Sequence, residues 1–297
     1  MDERPIGVFD SGLGGLTVLK EIRARLPDEG VVYFGDCGRA PYGVKSRETI
    51  VRYTFQNMRF LLSRNVKLVV IACNTSSAYD GYALAAQAFE VPVIEVIGPG
   101  SAEAARVTRN RRVGVIGTSA TIGSRAYERA IGAIDPQIKV FARACPLFVP
   151  LVEEGAHWWG HEVTRKVAEE YLSGYREDGI DSLVLGCTHY PLLQGVISEA
   201  VGRGIELISS AGAVAAEVER TLDACGLRRG SDSQSGDSRG DAELSGAGLG
   251  GVGKSAPELS FYTSDSVEKF EPLCSAILGE PAGARVYKLD IEKYKGG

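Results

Sequence analysis

Residues 181–191 read DSLVLGCTHYP, a short apolar run followed within three positions by a thiol, a hydroxyl and an imidazole. Branched aliphatic residues dominate the run, which is typical of a strand buried on both faces of a parallel sheet. Because ligands bind at the carboxyl ends of strands in such sheets, we regard Cys187, Thr188 and His189 as candidate functional residues.

The same alternation of strand and helix patterns extends along most of the chain. Apolar runs predict strands at 5–9, 31–35, 67–73, 92–97, 112–117, 181–186, 205–209 and 258–263, and amphipathic stretches between them predict helices. The pattern indicates an α/β fold in which helices cover both faces of parallel sheets. A TIM barrel shares this alternation, but a weak internal repeat favours two doubly wound domains.

The internal repeat consists of polar clusters placed where predicted strands end. Asp10 opens the first cluster and Cys73 follows 63 residues later, while Thr118 precedes Cys187 by 69 residues. In each half, a turn rich in hydroxyls and glycine is followed by a thiol at a strand end. The repeat predicts that two thiols face one cleft.

Length and composition restrict the class of protein. The chain has 297 residues, 44% of them apolar and 24% charged, and a net charge of −5, which suits two soluble α/β domains. The negative charge argues against a nucleic-acid or anionic-membrane partner. The first residues lack the basic and long apolar regions of a signal peptide, and no run approaches the roughly 18 apolar residues of a membrane span. We therefore expect a cytoplasmic protein.

Six cysteines are present without CxxC spacing, so the sequence does not predict a structural zinc site. Each is by default a small buried apolar residue, and this is our interpretation of Cys145, Cys225 and Cys274. His157 and His161 lie four apart, but without an evident third ligand we interpret them as surface or packing residues. We predict no bound metal.

Two glycine-rich segments allow a phosphate-binding interpretation. DSGLGG at 10–15 follows a strand and precedes a helix, and Asp36 lies about 20 residues on, in the manner of the ribose-binding acid of a dinucleotide site, but the glycine spacing is not GxGxxG. We therefore expect its backbone N–H groups to bind a smaller anion such as a carboxylate. The Gly, Ser and Asp-rich stretch 228–258 has no apolar period and predicts a flexible surface insertion.

Five motifs together carry a family resemblance: FDSGLGGLTV (9–18), GDCGRAPYG (35–43), ACNTSS (72–77), IGTSATI (116–122) and LGCTHYPLL (185–193). In their order and spacing, the chain resembles the cofactor-independent aspartate/glutamate racemase superfamily over nearly its whole length outside 228–258. One departure is Cys37-Gly38, where the family usually has Thr-Ala.

The chemistry of racemisation agrees with this resemblance. An α-proton must leave one face of the amino acid and a proton must return to the other, so two acid/base groups on opposite sides suffice. Cys73 and Cys187 suit these roles if one is thiolate while the other is thiol. His189 is the candidate assistant for Cys187, and Asp10 for Cys73.

The resemblance implies an architecture and a set of residue roles. The fold would be two domains related by pseudo-twofold symmetry, one built from 1–97 plus 208–297 and the other from 98–207, with the active site in the cleft between them. Cys73 would act on D-glutamate and Cys187 on L-glutamate, and Glu153, or its neighbour Glu154, would assist near the histidine. Substrate would be held by Asp10, Ser11, Pro41, Tyr42, Gly43, Asn74, Thr75, Thr118, Thr121 and Thr188.

The resemblance further implies an enzyme without a cofactor, a homodimer, and supply of D-glutamate for peptidoglycan. Three alternatives stay open at this point. Aspartate is the competing substrate within the superfamily, although the THYP and PYG contexts favour glutamate. A Cys-His hydrolase would use Cys187 and His189 but leave Cys73 unexplained, and a binding module for dicarboxylates would need neither thiol. Ser11, Thr118 and Thr121 also fit a simpler role as helix caps.

Overall fold

The computed structural model describes residues 2–79, 81–230, 257, 259–281 and 285–295. Most of the segment predicted to be a flexible insertion, residues 231–256 and 258, lies outside the described residues. The strands are β1 (Ile6–Asp10), β2 (Val31–Gly35), β3 (Leu68–Ile71), β4 (Val93–Glu95), β5 (Arg112–Gly117), β6 (Lys139–Ala144), β7 (Ser182–Gly186), β8 (Glu206–Ile208), β9 (Leu259–Thr263) and β10 (Val286–Lys288).

The α-helices between them range from one turn to about five turns. They are α1 (Leu16–Arg25), α2 (Arg47–Ser63), α3 (Asn74–Ala78), α4 (Gly81–Ala88), α5 (Ile97–Val107), α6 (Ser119–Ser124), α7 (Ala126–Ile134), α8 (Phe148–Glu153), α9 (Glu162–Leu172), α10 (Tyr175–Asp178), α11 (Gln194–Val201), α12 (Ser210–Ala224) and α13 (Val267–Leu278). Short 3₁₀ turns occupy Cys37–Arg39, Tyr42–Val44, Ala156–Trp158, Tyr190–Leu193 and Ile291–Tyr294. None of the described helices is long and apolar enough to cross a membrane.

The described strands form two separate parallel sheets. The first has the order β10-β9-β2-β1-β3-β4 and the second β6-β5-β7-β8, and all neighbouring strands run parallel. The buried aliphatic strands and the intervening helices account for this arrangement. The predicted α/β fold with two parallel sheets is confirmed.

The strand order itself repeats. In the first sheet β2-β1-β3-β4 follows the same order as β6-β5-β7-β8 in the second. Cys73 follows β3 and Cys187 follows β7, which are corresponding strands of the two sheets. The weak sequence repeat therefore has a counterpart in topology.

The largest hydrophobic cluster contains side chains from both sheets. Ile6 and Val8 of β1 belong to the same cluster as Val113 and Val115 of β5. Helix α12 contributes Val214 and packs against both α1 and α5. One apolar core thus joins the two halves of the molecule behind the strand ends.

The sequence did not predict two of the strands, because they are not apolar runs. β6 and β10 both lie at sheet edges, and β6 is mostly half-exposed and carries Lys139 and Arg143. Residues 97–100, which lie between the two sheets, form the first turn of α5. Strand membership agrees with a division near 97 and 208, and the domain boundaries themselves stay a prediction.

Candidate active site

A small cavity lies where the strand ends of the two sheets meet. It encloses about 10 Å³, which is roughly the room that a single water molecule needs. Its lining consists of Ser11, Pro41, Tyr42, Gly43, Cys73, Asn74, Thr75, Thr118, Val149, Cys187, Thr188 and His189. All of these were sequence candidates except Val149, which lies inside a helix and carries no polar group that a motif could reveal.

Cys187 contacts the imidazole of His189, whose other ring nitrogen contacts Glu153. His189 Nδ1 lies 3.7 Å from Cys187 Sγ, and Nε2 lies 2.9 Å from Glu153 Oε1, at the end of α8. Burial alone would lower the pKa of His189, but the hydrogen bonds to Cys187 and Glu153 outweigh it and raise this pKa well above its usual range. The raised pKa favours the protonated ring, and with it a positive charge beside the thiol.

Cys73 has a different environment. Its Sγ lies 3.4 Å from Ser11 Oγ. Burial raises the pKa of Cys73 to about 11; the negative charge of Asp10 adds to the effect and the Ser11 hydrogen bond opposes it. The two thiols therefore differ: Cys73 is held as the neutral thiol, whereas Cys187 has a cation next to it.

Asp10 lies behind the cavity rather than on its wall. Its carboxylate accepts hydrogen bonds from the Gly12 N–H at 3.1 Å and from Thr188 Oγ1 at 3.3 Å. Burial raises its pKa, and the charge of His189 opposes that rise. The N–H of Gly12, predicted to bind the carboxylate of a ligand, thus binds the carboxylate of Asp10.

Three threonine hydroxyls meet between the sheets. Thr75 Oγ1 lies 3.0 Å from Thr118 Oγ1 and 3.4 Å from Thr121 Oγ1, and the latter two lie 3.0 Å apart. Thr118 also caps α6 by accepting from the Thr121 N–H at 3.2 Å. Thr118 is therefore both a helix cap and part of the cavity wall, while Thr121 supports the cluster from outside the wall.

Asn74 presents an unpaired donor to the cavity. Its Oδ1 accepts a hydrogen bond from the Tyr127 hydroxyl at 2.7 Å, while its Nδ2 is buried without a protein partner. A buried amide N–H₂ normally has an acceptor, so this group is available to a ligand. Tyr127 lies on α7, in the other half of the molecule. The sequence did not predict a role for Tyr127, because it occupies an ordinary apolar position of a helix pattern.

A polar network fixes the Tyr42 loop. The Tyr42 hydroxyl donates to Asp36, and Asn57 Nδ2 donates to the Tyr42 hydroxyl at 3.1 Å. Asp36 also accepts from Arg39 Nε and Ser264 Oγ, each at 2.7 Å. The Asp36 carboxylate, whose position in the sequence suits a ribose-binding acid, therefore has all its hydrogen bonds within the protein.

Two glycines allow the halves to approach closely. A Cβ at Gly14 would overlap the His189 ring and Thr188 Oγ1, and one at Gly43 would overlap the side chain of Thr118. The glycine-rich turn after β1 thus serves close contact across the cleft.

The remaining histidines, Glu154 and three of the cysteines lie apart from the cavity. His161 accepts from the Val163 N–H at the start of α9, and the His157 ring packs against Trp158. Glu154 is exposed, so Glu153 is the one of the two adjacent carboxylates that reaches His189. Cys145 and Cys274 are buried as expected, but Cys225 is exposed because it ends α12, so that part of the cysteine interpretation was wrong.

Comparison with known proteins shows the family to which the chain is similar. Residues 6–218 match the family described as Asp/Glu/Hydantoin racemase. The chain is 56% identical to the glutamate racemase of Geobacter metallireducens over 211 residues, which are 71% of this chain and 77% of that protein. It is 42% identical to the glutamate racemase of Neisseria meningitidis serogroup A over 277 residues, 93% of each chain.

A solved structure extends the match to the whole fold. Glutamate racemase from Francisella tularensis in complex with D-glutamate superposes with a TM-score of 0.84 at 34% identity, covering 99% of this chain and 100% of that one. The fold and the paired thiols define an α/β racemase. The chain belongs to the Asp/Glu/hydantoin racemase family.

Proposed function

We propose that the protein interconverts L- and D-glutamate by proton transfer between the substrate α-carbon and two thiols. One observation carries this proposal: Cys73 and Cys187 line the same cavity from corresponding strand ends of the two sheets. The glutamate racemases at 56% and 42% identity support glutamate rather than aspartate as substrate.

In the L-to-D direction, the thiolate of Cys187 takes the α-proton of L-glutamate, and the thiol of Cys73 gives its proton to the opposite face. The products are D-glutamate, a Cys187 thiol and a Cys73 thiolate, so charge and protons balance. Return of one proton from Cys187 to Cys73 through solvent restores the starting state. The D-to-L direction is the same sequence reversed.

The environments of the two thiols set the resting protonation state. We assign the starting thiolate to Cys187, because His189 Nδ1 lies 3.7 Å from its sulfur and the contact with Glu153 favours the positively charged form of that ring. The raised pKa of Cys73 keeps its proton in place. The empty enzyme is therefore ready to accept L-glutamate, and Asp10 opposes formation of the alternative thiolate on Cys73.

Neutral donors suit a substrate with two carboxylates. The free Nδ2 of Asn74 and the hydroxyls of Ser11, Thr75, Thr118 and Thr188 surround the space between the thiols. Because they carry no charge, they bind carboxylates without forming a fixed ion pair. Pro41, Tyr42 and Gly43 close one side. A cavity of about 10 Å³ is too small for glutamate, and we propose that the halves separate for entry and close afterwards.

Circular dichroism of L- or D-glutamate incubated with the protein alone tests this function. We expect either enantiomer to decay to the racemate without added cofactor, and the α-proton to exchange in deuterated water by NMR. Cys73→Ala and Cys187→Ala should each lose racemisation in both directions by about a thousandfold or more. The exposed Cys225 provides the matched control, and Cys225→Ala should keep full activity. Unchanged signals for both glutamate and aspartate would disprove the proposal.

A cysteine hydrolase is the second candidate, because Cys187, His189 and Glu153 form a thiol–imidazole–carboxylate series. Such an enzyme would tolerate loss of Cys73, whereas the racemase would not. A binding module for dicarboxylates would tolerate loss of both thiols with binding intact. The single-cysteine variants therefore separate all three functions.

Four further properties belong to the same proposal. We propose domains formed by 1–97 plus 208–297 and by 98–207, which strand membership supports. Homodimer formation, a cytoplasmic location and supply of D-glutamate for peptidoglycan stay predictions.

A further inference from the structure

A second cavity lies on the outer side of the first sheet, between α2 and the 3₁₀ turn Ile291–Tyr294. Its volume is about 560 Å³, within the range of small-molecule sites. The active-site cavity shares none of its lining residues.

The second cavity carries a concentration of positive charge. Arg52 and Arg59, seven positions apart on α2, lie on the same helix face, and Lys295 joins them from the end of the described chain. The one carboxylate in the lining, Glu292, pairs with Lys295 and lies 3.7 Å from Arg39. Three cations against one carboxylate attract an anion, in a chain whose overall charge is −5.

Two aromatic rings border these cations. Tyr53 and Phe55 are half-buried and form part of the lining. Inside the protein the Tyr53 ring already stacks with the Arg39 guanidinium at 3.9 Å, and Phe55 packs against Phe89. The Arg52 guanidinium lies 5.3 Å from the centre of the Tyr53 ring, so the sides of the two rings that face the cavity are the ones open to a ligand.

Such rings offer stacking area to a planar ligand. We propose that this cavity binds a small phosphate ester carrying a planar ring, of the class of nucleoside monophosphates, with its phosphate on Arg52, Arg59 and Lys295 and its ring against Tyr53 and Phe55.

The occupant would influence the active-site loop through two contacts. The Tyr53 ring packs against the ring of Tyr42, with centroids 5.4 Å apart. Gln56, also in the cavity wall, accepts a hydrogen bond from Arg39 at 2.5 Å, and Arg39 bonds the Asp36 carboxylate that holds Tyr42. A phosphate that competes with Glu292 for cations alters the charge balance around Arg39. We therefore expect occupancy to change KM for glutamate.

Isothermal titration calorimetry with adenosine monophosphate, in phosphate-free buffer at low salt, tests the binding. We expect saturable binding that weakens at least about tenfold in the double variant Arg52→Gln/Arg59→Gln, because two charge-assisted contacts are lost. Adenosine and ribose 5-phosphate, which lack the charge and the ring respectively, should each bind more weakly than the whole nucleotide. Arg106→Gln, at an exposed arginine on α5, is the matched control and should leave binding unchanged.

Different results would overturn different parts of this proposal. No binding at millimolar nucleotide, or binding that the double variant leaves intact, overturns the proposed site. Equal binding of ribose 5-phosphate and the nucleotide overturns the role of the rings. If the nucleotide binds but KM for glutamate stays the same, the link to Tyr42 is wrong. Calorimetry measures binding without turnover, so it tests the nucleotide site independently of racemase activity.

Discussion

Glu153 and His189 are joined by a 2.9 Å contact between Oε1 and Nε2, on the ring nitrogen opposite the one that faces Cys187. The imidazole is buried while the carboxylate is partly exposed. The pair thus fixes both the orientation of the ring and its positive charge. Removing the charge of Glu153 should therefore lower the pH up to which the imidazolium of His189 persists beside Cys187.

Glu153→Gln should move the alkaline limit of kcat/KM to lower pH. The hydrogen bond to Glu153 raises the pKa of His189, so the variant has a lower His189 pKa and loses the imidazolium at lower pH. Initial rates across pH, followed by circular dichroism, measure the shift. Because L- and D-glutamate have equal free energies in water, the shift must be the same in both directions.

The adjacent Glu154 supplies the control for that measurement. It is exposed, and it is Glu153 that reaches the histidine, so Glu154→Gln should keep the wild-type profile. A shift of equal size in both variants would show that general surface charge, and not the contact with His189, sets the alkaline limit.

Ser11→Ala should weaken the acid/base function of Cys73. The Ser11 hydrogen bond favours the Cys73 thiolate, so its loss raises a pKa that is already about 11. We expect kcat/KM to fall about tenfold in both directions, the size expected for a hydrogen bond to a charged group. Steady-state rates for both enantiomers check this. Ser63→Ala, on the remote end of α2, should have no effect, and an unchanged rate in Ser11→Ala would contradict the role of Ser11.

Gly14→Ala should impair the active site, because its Cβ would overlap His189 and Thr188. Gly132 provides a matched contrast, since a Cβ there meets open space within α7. Gly132→Ala should leave activity intact and stabilise the fold by about 0.5–1 kcal/mol, the usual gain of alanine over glycine in a helix. Thermal melts and racemisation rates measure both. Full activity in Gly14→Ala would mean that the two halves do not close as tightly as described.

Tyr127→Phe should raise KM for glutamate several-fold with a smaller change in kcat. The variant loses the 2.7 Å hydrogen bond that orients Asn74, and the free Nδ2 is then no longer aimed at the substrate. Tyr175→Phe is the comparison, because the Tyr175 hydroxyl donates to backbone carbonyls of Val115 and Phe141 within the second sheet. That variant should lower the melting temperature and leave KM unchanged.

The sequence predicted the parts of the site that sit at strand ends. Cys73, Asn74, Thr118 and Cys187 each follow a buried apolar strand, and parallel topology brings such ends together. Tyr127 and Val149 were not predictable in this way, because they lie inside helices and reach the site only through packing.

The edge strands and the Tyr42 network also depend on contacts that local sequence does not reveal. β6 lacks an apolar pattern because only part of it is covered, and no local rule marks a half-exposed edge. The position of Asp36 in the sequence suits a ligand for ribose, but its carboxylate instead binds Arg39 and Ser264. Local pattern therefore indicates which residues carry chemistry, while contacts between distant segments decide whether a polar group is free.

The hydrophobic cluster shared by the two sheets bears on how the molecule melts. Val8 and Val113 belong to one apolar cluster, so neither half can unfold without exposing buried surface of the other. Calorimetry should show one cooperative transition rather than two. We therefore expect any opening of the cleft to be limited to its mouth, while the shared cluster stays intact.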